Sequence, residues 1–315
     1  MRDKILKLLK KDCFISGEQL GKKINVSRTA VWKQIKALQE LGYEIKSVKN
    51  KGYQLISKPD IPIPEEITPE LNTVIVGKKI FYFKTLPSTN SIAKQKIKEN
   101  IPEGTVIVAE VQTKGKGRKN RIWYSPEGGL WFSVVLYPHI PPQNGMLITM
   151  ASSVAVAQAI KEITGLSPIV KWPNDLLLNG KKISGILTEF DAEMDRINYA
   201  VVGIGINVNN PLSKELQENA TSLIQEKGSH VSRVKLLRSI LKYLDTNYVK
   251  LISEEHDFIR ELWFSHTNII GRKIQVQDEK TVVEGIVNDV DISGCLILDT
   301  KYGRVRVVSG DLTYL

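Results

Sequence analysis

Apolar positions along the chain fall into three textures. In residues 1–58 they recur every three or four residues. Ile5, Leu6, Leu8 and Leu9 mark a basic first helix. Ser16-Gly-Glu-Gln19 has the form of a capping box, and a short helix runs on through Leu20. A turn at Asn25-Val26 follows. Ser27 then caps a longer helix with the apolar stripe Val31, Ile35, Leu38 and Leu41, and Gly42 is its left-handed stop. The runs YEIKSV and YQLI flank a basic hairpin tip, Lys49-Asn50-Lys51-Gly52. Two capped helices, a tight turn and a wing predict a winged helix-turn-helix over residues 1–60. Pro59, Pro62, Pro64 and Pro69 then break any period, which predicts a linker over residues 61–72.

The second texture, residues 73–268, mixes apolar strands with longer helices. Strands are expected at 79–83, 105–111, 130–136, 169–175 and 199–209. Asn179-Gly180 signals a type I′ hairpin turn. Helices are expected from Ser88 onward, over 145–165, over 231–253 and over 255–267. The order predicts an α+β unit with a mixed or antiparallel sheet and its helices on one face. The third texture, residues 269–315, is short strands with turns at Asp278-Glu279, Ser293-Gly294 and Tyr302-Gly303, as in a small SH3-like β-barrel.

Charge sharpens this division. Residues 1–58 hold 14 Lys and Arg against 5 Asp and Glu, a net +9 out of +10 for the whole chain. Such a local excess is the footprint of a nucleic-acid-binding module on a near-neutral body. Ser27, Arg28, Thr29, Lys33 and Lys36, off the apolar stripe of the second capped helix, are candidate DNA contacts, with Lys49 and Lys51 at the wing tip. Cys13 and Cys295 lie far apart and fit neither a disulfide framework nor a metal site. No N-terminal signal pattern is seen, and no apolar run long enough to span a bilayer is expected, so the expected setting is a reducing cytoplasm.

The candidate chemistry centres on Gln112–Gly129. This insert between two strands carries four glycines, five cations and one acid, Glu127. Glycines let backbone N–H groups approach an anion together, and arginine adds a planar fork. Trp123 and Tyr124 argue against a merely solvating loop. The sequence is neither a Walker A loop nor a Rossmann fingerprint. Elsewhere, Ser88 either caps a helix or joins a binding spot at that helix start. Lys182 is either an edge-strand charge or a site residue. Asp175 either caps a turn or handles a proton. Gly203 and Gly205 suggest close backbone approach to a neighbour or ligand.

Four motifs in order carry a resemblance: Gly115-Lys-Gly-Arg118 with Trp123 and Ser125-Pro126, then Lys171-Trp-Pro-Asn-Asp175, then Lys182-Ile-Ser-Gly-Ile-Leu, then Gly203-Ile-Gly-Ile-Asn207. Together they resemble the biotin protein ligases, in the bifunctional form that also represses biotin operons, over the whole chain. The resemblance implies a catalytic domain over 73–268 and a C-terminal barrel over 269–315. It implies activation of biotin by ATP and Mg²⁺ to biotinyl-5′-AMP, then transfer to a lysine of a carboxylase's biotin carboxyl carrier domain. It implies operator binding as a homodimer.

It also places Ser88, Thr89, Asn90 and Gln112 at biotin's ureido head, and Lys116, Gly117 and Arg118 in a ligand-ordered loop. Lys182 approaches the reacting carboxylate and phosphate. Gly115, Arg121, Trp123, Lys171, Asn174 and Asn207 fall on the ATP and adenylate side, and Arg118, Lys182 and Asp175 are the catalytic candidates. No protein-built metal site is implied. Where the resembled family's loop commonly reads Gly-Arg-Gly-Arg with a further glycine, this chain has Lys116 for the first arginine and Asn120 for that glycine. Two other readings are a biotin-sensing repressor without catalysis and a lipoate ligase.

Overall fold

The computed structural model describes residues 1–9, 11–278 and 281–315. The turn expected at Asp278-Glu279 falls partly outside them. Two compact units emerge, Met1–Ile61 and Pro62–Leu315.

The first unit contains α1 (Arg2–Leu8), α2 (Gly17–Ile24), α3 (Arg28–Glu40), β1 (Glu44–Val48) and β2 (Gly52–Ser57). The capping box forms as expected, with Gln19 N–H donating to Ser16 Oγ and Ser16 N–H to Gln19 Oε1, both at 3.1 Å. Asn25 ends α2 in the left-handed conformation and Ser27 caps α3 through Ala30 N–H. Val31, Ile35 and Leu38 are buried, and β1 pairs antiparallel with β2 as the wing.

The second unit begins with α4 (Pro64–Ile67). The segment expected to be a bare linker is therefore packed in part. Ile63 and Ile67 are buried, and Arg238 donates to the Glu66 carbonyl and pairs with Glu70. Proline breaks a helical period, but a proline at a helix start is also preorganised for it.

Next come β3 (Ile80–Leu86), α5 (Thr89–Ile97), β4 (Val106–Gln112) and β5 (Leu130–Leu136). They are followed by α6 (Gly145–Thr164), β6 (Ile169–Lys171), β7 (Asp175–Leu178), β8 (Lys181–Ala192) and β9 (Ile197–Ile206). The seven strands form one sheet in the order β3-β4-β5-β9-β8-β7-β6. Only β3 and β4 run parallel, joined by α5 as their crossover, so the sheet is mixed as expected. Asn179 and Gly180 both have positive φ, 50° and 79°, as a type I′ turn requires.

The long helices α6, α8 (Arg233–Ile252) and α9 (His256–Phe264) belong to one face and its large core, with the short α7 (Leu223–Lys227) preceding α8. The expectation of helices on one face holds for these but not for α5. Val106, Val108, Phe132 and Val134 join the large core. The alternate residues Ile107, Ala109, Val135 and Val201 pack with Ala93 of α5 on the other side. Strand alternation makes both faces of the central strands apolar, so both need cover. Against expectation, one helical stretch, Pro142–Thr164, is long and apolar enough to cross a membrane. It is mostly buried as the core helix.

The C-terminal strands β10 (Lys273–Gln277), β11 (Val282–Val290), β12 (Leu296–Thr300), β13 (Gly303–Val307) and β14 (Asp311–Tyr314) form an antiparallel sheet in the order β13-β12-β11-β10-β14. The fifth strand returns to pair with the first, the order of the small barrel expected here. This sheet belongs to the same compact unit as the central one. Trp172 Nε1–H, for example, donates to the Gly294 carbonyl at 3.1 Å.

Asp245 of α8 pins the start of this unit. Its carboxylate accepts from the backbone N–H groups of Val74, Ile75 and Val76, each at 2.7 Å. Removing it strands those donors, and Asp245→Ala is expected to destabilise the unit by about 2 kcal/mol. The check is a lower urea midpoint with an unchanged slope.

Candidate functional site

A cavity of about 620 Å³ opens where β8 and β9 meet the 112–129 loop and the start of β14. The loop is folded on itself. Gln112 bridges to Ser125 and Lys116 to Ile122, with a single 3-10 turn at Arg118–Asn120 between. Lys119 and Asn120 sit at φ 52° and 57°. Asparagine is the side chain best suited to that left-handed region after glycine, so Asn120 fills the position geometrically.

One end of the cavity is a chain of neutral hydrogen bonds. Ser88 is buried at the N-cap just before α5, but its hydroxyl makes no cap bond. Gln112 does that work: its Oε1 accepts from Thr89 N–H at 2.8 Å and from Thr89 Oγ1 at 3.1 Å. The first N–H of that helix is thus already taken. Gln112 Nε2 donates to Ser125 Oγ, which donates to the Trp123 carbonyl. In the other direction, Ser133 lies 2.7 Å from Thr89 Oγ1 and 2.6 Å from Asn90 Oδ1. Asn90 Nδ2 donates to Glu189, which pairs with Lys94. Burial alone pushes the Glu189 carboxyl up, but hydrogen bonds from Lys94 and Asn90 and the charges of Lys94 and Lys116 outweigh it, leaving it below the usual range.

The other end is cationic. Lys182 Nζ lies 2.7 Å from Asp175 Oδ1, across the β7–β8 hairpin, and 5.2 Å from the Trp123 ring centroid. The pair is misaligned for a hydrogen bond, and Oδ1 is left without one. Arg118 donates to Asn174 Oδ1 and to the Gly310 carbonyl, both at 3.2 Å. Lys119 and Arg121 both pair with Asp311. Burial would raise Asp311, but its hydrogen bond to Arg121 and the charges of Arg121 and Lys119 dominate and hold it low. Lys171 and Asn207 complete the wall.

Trp123 lies flat across the floor because glycine is there. A Cβ on Gly185 would come within 3.0 Å of its ring, and one on Gly205 would strike the indole nitrogen. A Cβ on Gly203 would strike Asn90. The close approach expected at Gly203 and Gly205 is therefore to two side chains of the site itself. The indole N–H of Trp123 is buried with no partner.

Of the residues expected at the small-molecule site, the cavity brings together Ser88, Thr89, Asn90, Gln112, Lys116 and Gly117, and also Arg118, Arg121, Trp123, Lys171, Asn174, Asp175, Lys182 and Asn207. Gly115 is not among the lining residues. It is buried under the Trp123 carbonyl and Ser125, where a side chain would not fit. Sequence reasoning missed Asp311, Ser133 and Glu189. A lone hydroxyl in the apolar run LWFSVVL was a usable signal for Ser133. Asp311 arrives from another sheet and carries no local signal.

In the first unit, Ser27, Arg28, Thr29, Lys33, Lys36, Lys49 and Lys51 are all exposed. Trp32, which the pattern did not single out, is 50% exposed among them.

Comparison with known proteins agrees with both units. Residues 82–207 match the biotin/lipoate A/B protein ligase family, and residues 2–54 match a helix-turn-helix domain. The bifunctional ligase/repressor BirA of Bacillus subtilis (strain 168) is 40% identical over 303 residues, covering 95% of this chain and 93% of that protein. This chain belongs to the bifunctional ligase/repressor family. The Escherichia coli (strain K12) member is 28% identical over 94% of this chain and 91% of its own length. Among solved structures, the biotin protein ligase from Aquifex aeolicus in complex with biotin and ATP superposes with a TM-score of 0.63 at 30% identity. It covers 76% of this chain and 99% of that one. Family membership accounts for a helix-turn-helix and a ligase cavity in one polypeptide.

Proposed function

We propose that this protein is a biotin protein ligase that doubles as a biotin-responsive repressor. The observation that carries the ligase reading is the polarity of one cavity. Neutral donors and acceptors at Thr89, Asn90 and Gln112 suit a ureido head, and Lys182, Arg118 and Lys171 suit a carboxylate beside phosphates.

In the first step a biotin carboxylate oxygen attacks the α-phosphorus of ATP and pyrophosphate leaves. Both partners are anions, so the cations lower their repulsion and hold them in line. Arg118 and Lys182 face that charge, with Lys171 on phosphate. In the second step a neutral lysine amine of a biotin carboxyl carrier domain attacks the acyl carbon and AMP leaves. Asp175, already paired with Lys182, orients the amine or takes its proton.

Mg²⁺ would enter with the nucleotide, neutralising phosphate charge through phosphate oxygens and water. No group of three or more His, Cys, Asp or Glu that could hold a metal occurs among the described residues, and the Asp175 oxygen without a hydrogen bond faces Lys182 Nζ at 2.7 Å, so the ion would be held through the nucleotide. The protein acts in the cytoplasm, where ATP and operator DNA are found, and binds the operator as a homodimer.

Biotin-dependent ATP–pyrophosphate exchange, with lipoate as the competing acid, tests this reading. Exchange with biotin and none with lipoate is expected, along with a carrier domain heavier by one biotinyl group. No exchange would leave only a sensor. Anisotropy on a random duplex should show binding at 50 mM salt that weakens by roughly a thousandfold or more at 200 mM. No binding at low salt removes the DNA assignment. Sedimentation with biotin and ATP should double the mass.

A further inference from the structure

The exposed face of α3 carries a residue that solvation does not explain. Arg28, Trp32 and Lys36 are spaced four apart and so share one stripe of the helix. Val31, Ile35 and Leu38 are buried on the adjoining face, about a quarter-turn round the helix. The two cations lie about 12 Å apart along the axis, with the indole midway. Trp32 is 50% exposed, whereas the fully buried side chains of this unit include Ile5, Leu20, Ile35, Leu38 and Tyr43. A surface needing only charge for phosphate contact gains nothing from an indole at its centre.

We infer that Trp32 reads sequence by apolar contact with thymine methyl groups on the floor of the major groove. This rests on the DNA-binding reading of the first unit and adds to it a residue that discriminates between bases. In helix-turn-helix proteins the first turns of the second helix meet base edges, and Trp32 is the fifth helical residue of α3. The thymine C5 methyl is the one apolar group in the major groove, and apolar side chains are its partners. Arg28 and Lys36 on the same stripe, with Lys33 beside them, supply positive charge matching the phosphates that flank the groove. That complementarity commits the face to a duplex rather than to a protein surface.

The test uses the full-length protein with biotin and ATP present. Duplexes are enriched from a randomised pool, and the best is remade with deoxyuridine replacing each thymine in turn, which removes only the methyl. Affinities are measured by anisotropy for the wild type, Trp32→Ala and Trp32→Phe. For the wild type, at least one replacement per half-site is expected to weaken binding about tenfold. That same replacement should leave Trp32→Ala unchanged, while Trp32→Phe retains part of the effect. Trp32→Ala should lose about tenfold on the enriched duplex and less than twofold on random DNA. The inference is overturned if no deoxyuridine duplex weakens the wild type. Equal losses on enriched and random DNA overturn it too. So does a Trp32→Ala protein that keeps its DNA selectivity but sediments differently, which would make the indole a protein contact. A wild type that binds no duplex removes the DNA reading itself.

Discussion

Lys182→Ala should cut biotin-dependent ATP–pyrophosphate exchange by about a thousandfold or more, the scale of losing a donor aimed at developing charge in a water-poor site. Lys182 is a partly shielded ammonium held by Asp175 at 2.7 Å and by the face of Trp123. It therefore meets the ligands already oriented. Alanine leaves Asp175 as an unpaired negative charge in a cavity meant for two anions, so the loss combines missing attraction with new repulsion. Lys182→Arg should recover only part of the rate, since the guanidinium is larger and differently shaped. Exchange measured at saturating biotin and ATP separates this from weaker binding. A Lys182→Ala enzyme with ordinary turnover, still folded, would refute the role.

Arg118→Gly should act on retention, not on the first chemical step alone. The guanidinium donates to Asn174 of the Trp-Pro-Asn-Asp turn and to the Gly310 carbonyl. It thereby fastens the loop across the cavity mouth from both sides. Glycine removes both bonds and adds backbone freedom next to Lys119 and Asn120, which are already left-handed. Dissociation of the adenylate is expected to speed up by about a hundredfold. Rapid dilution of enzyme loaded with labelled biotin and ATP, followed by filter capture at intervals, reads this directly. An unchanged release rate would assign loop closure to Lys119 and Arg121 instead.

Much of this was legible because it is local. The capping box at Ser16 and Gln19, the Asn179-Gly180 turn and the apolar stripe of α3 are each written within a few residues, and each formed as read except that Leu41 of the stripe falls at the helix end, half-buried. The motifs of the cavity were legible as motifs, and each of the four contributes residues to one space. What escaped depends on distant chain segments meeting. Gln112, not Ser88, satisfies the start of α5 because β4 runs alongside it. Strand alternation put α5 against Ile107 and Val135, on the face opposite α6. Glu189 and Ser133 joined the Asn90 network from two other strands. Gly203 and Gly205 announced a close approach, but only the fold said that Trp123 and Asn90 were approaching.

The salt link from Arg121 and Lys119 to Asp311 bears on the order of synthesis. Every other charged member of the cavity wall has left the ribosome by Glu215, whereas Asp311 follows long afterwards. A nascent polypeptide thus has the cations of its lid well before the carboxylate that fastens them. Newborn ligase would leak any intermediate it made until the last sheet docks, and a stop codon placed just ahead of β14 should freeze it in that leaky infancy.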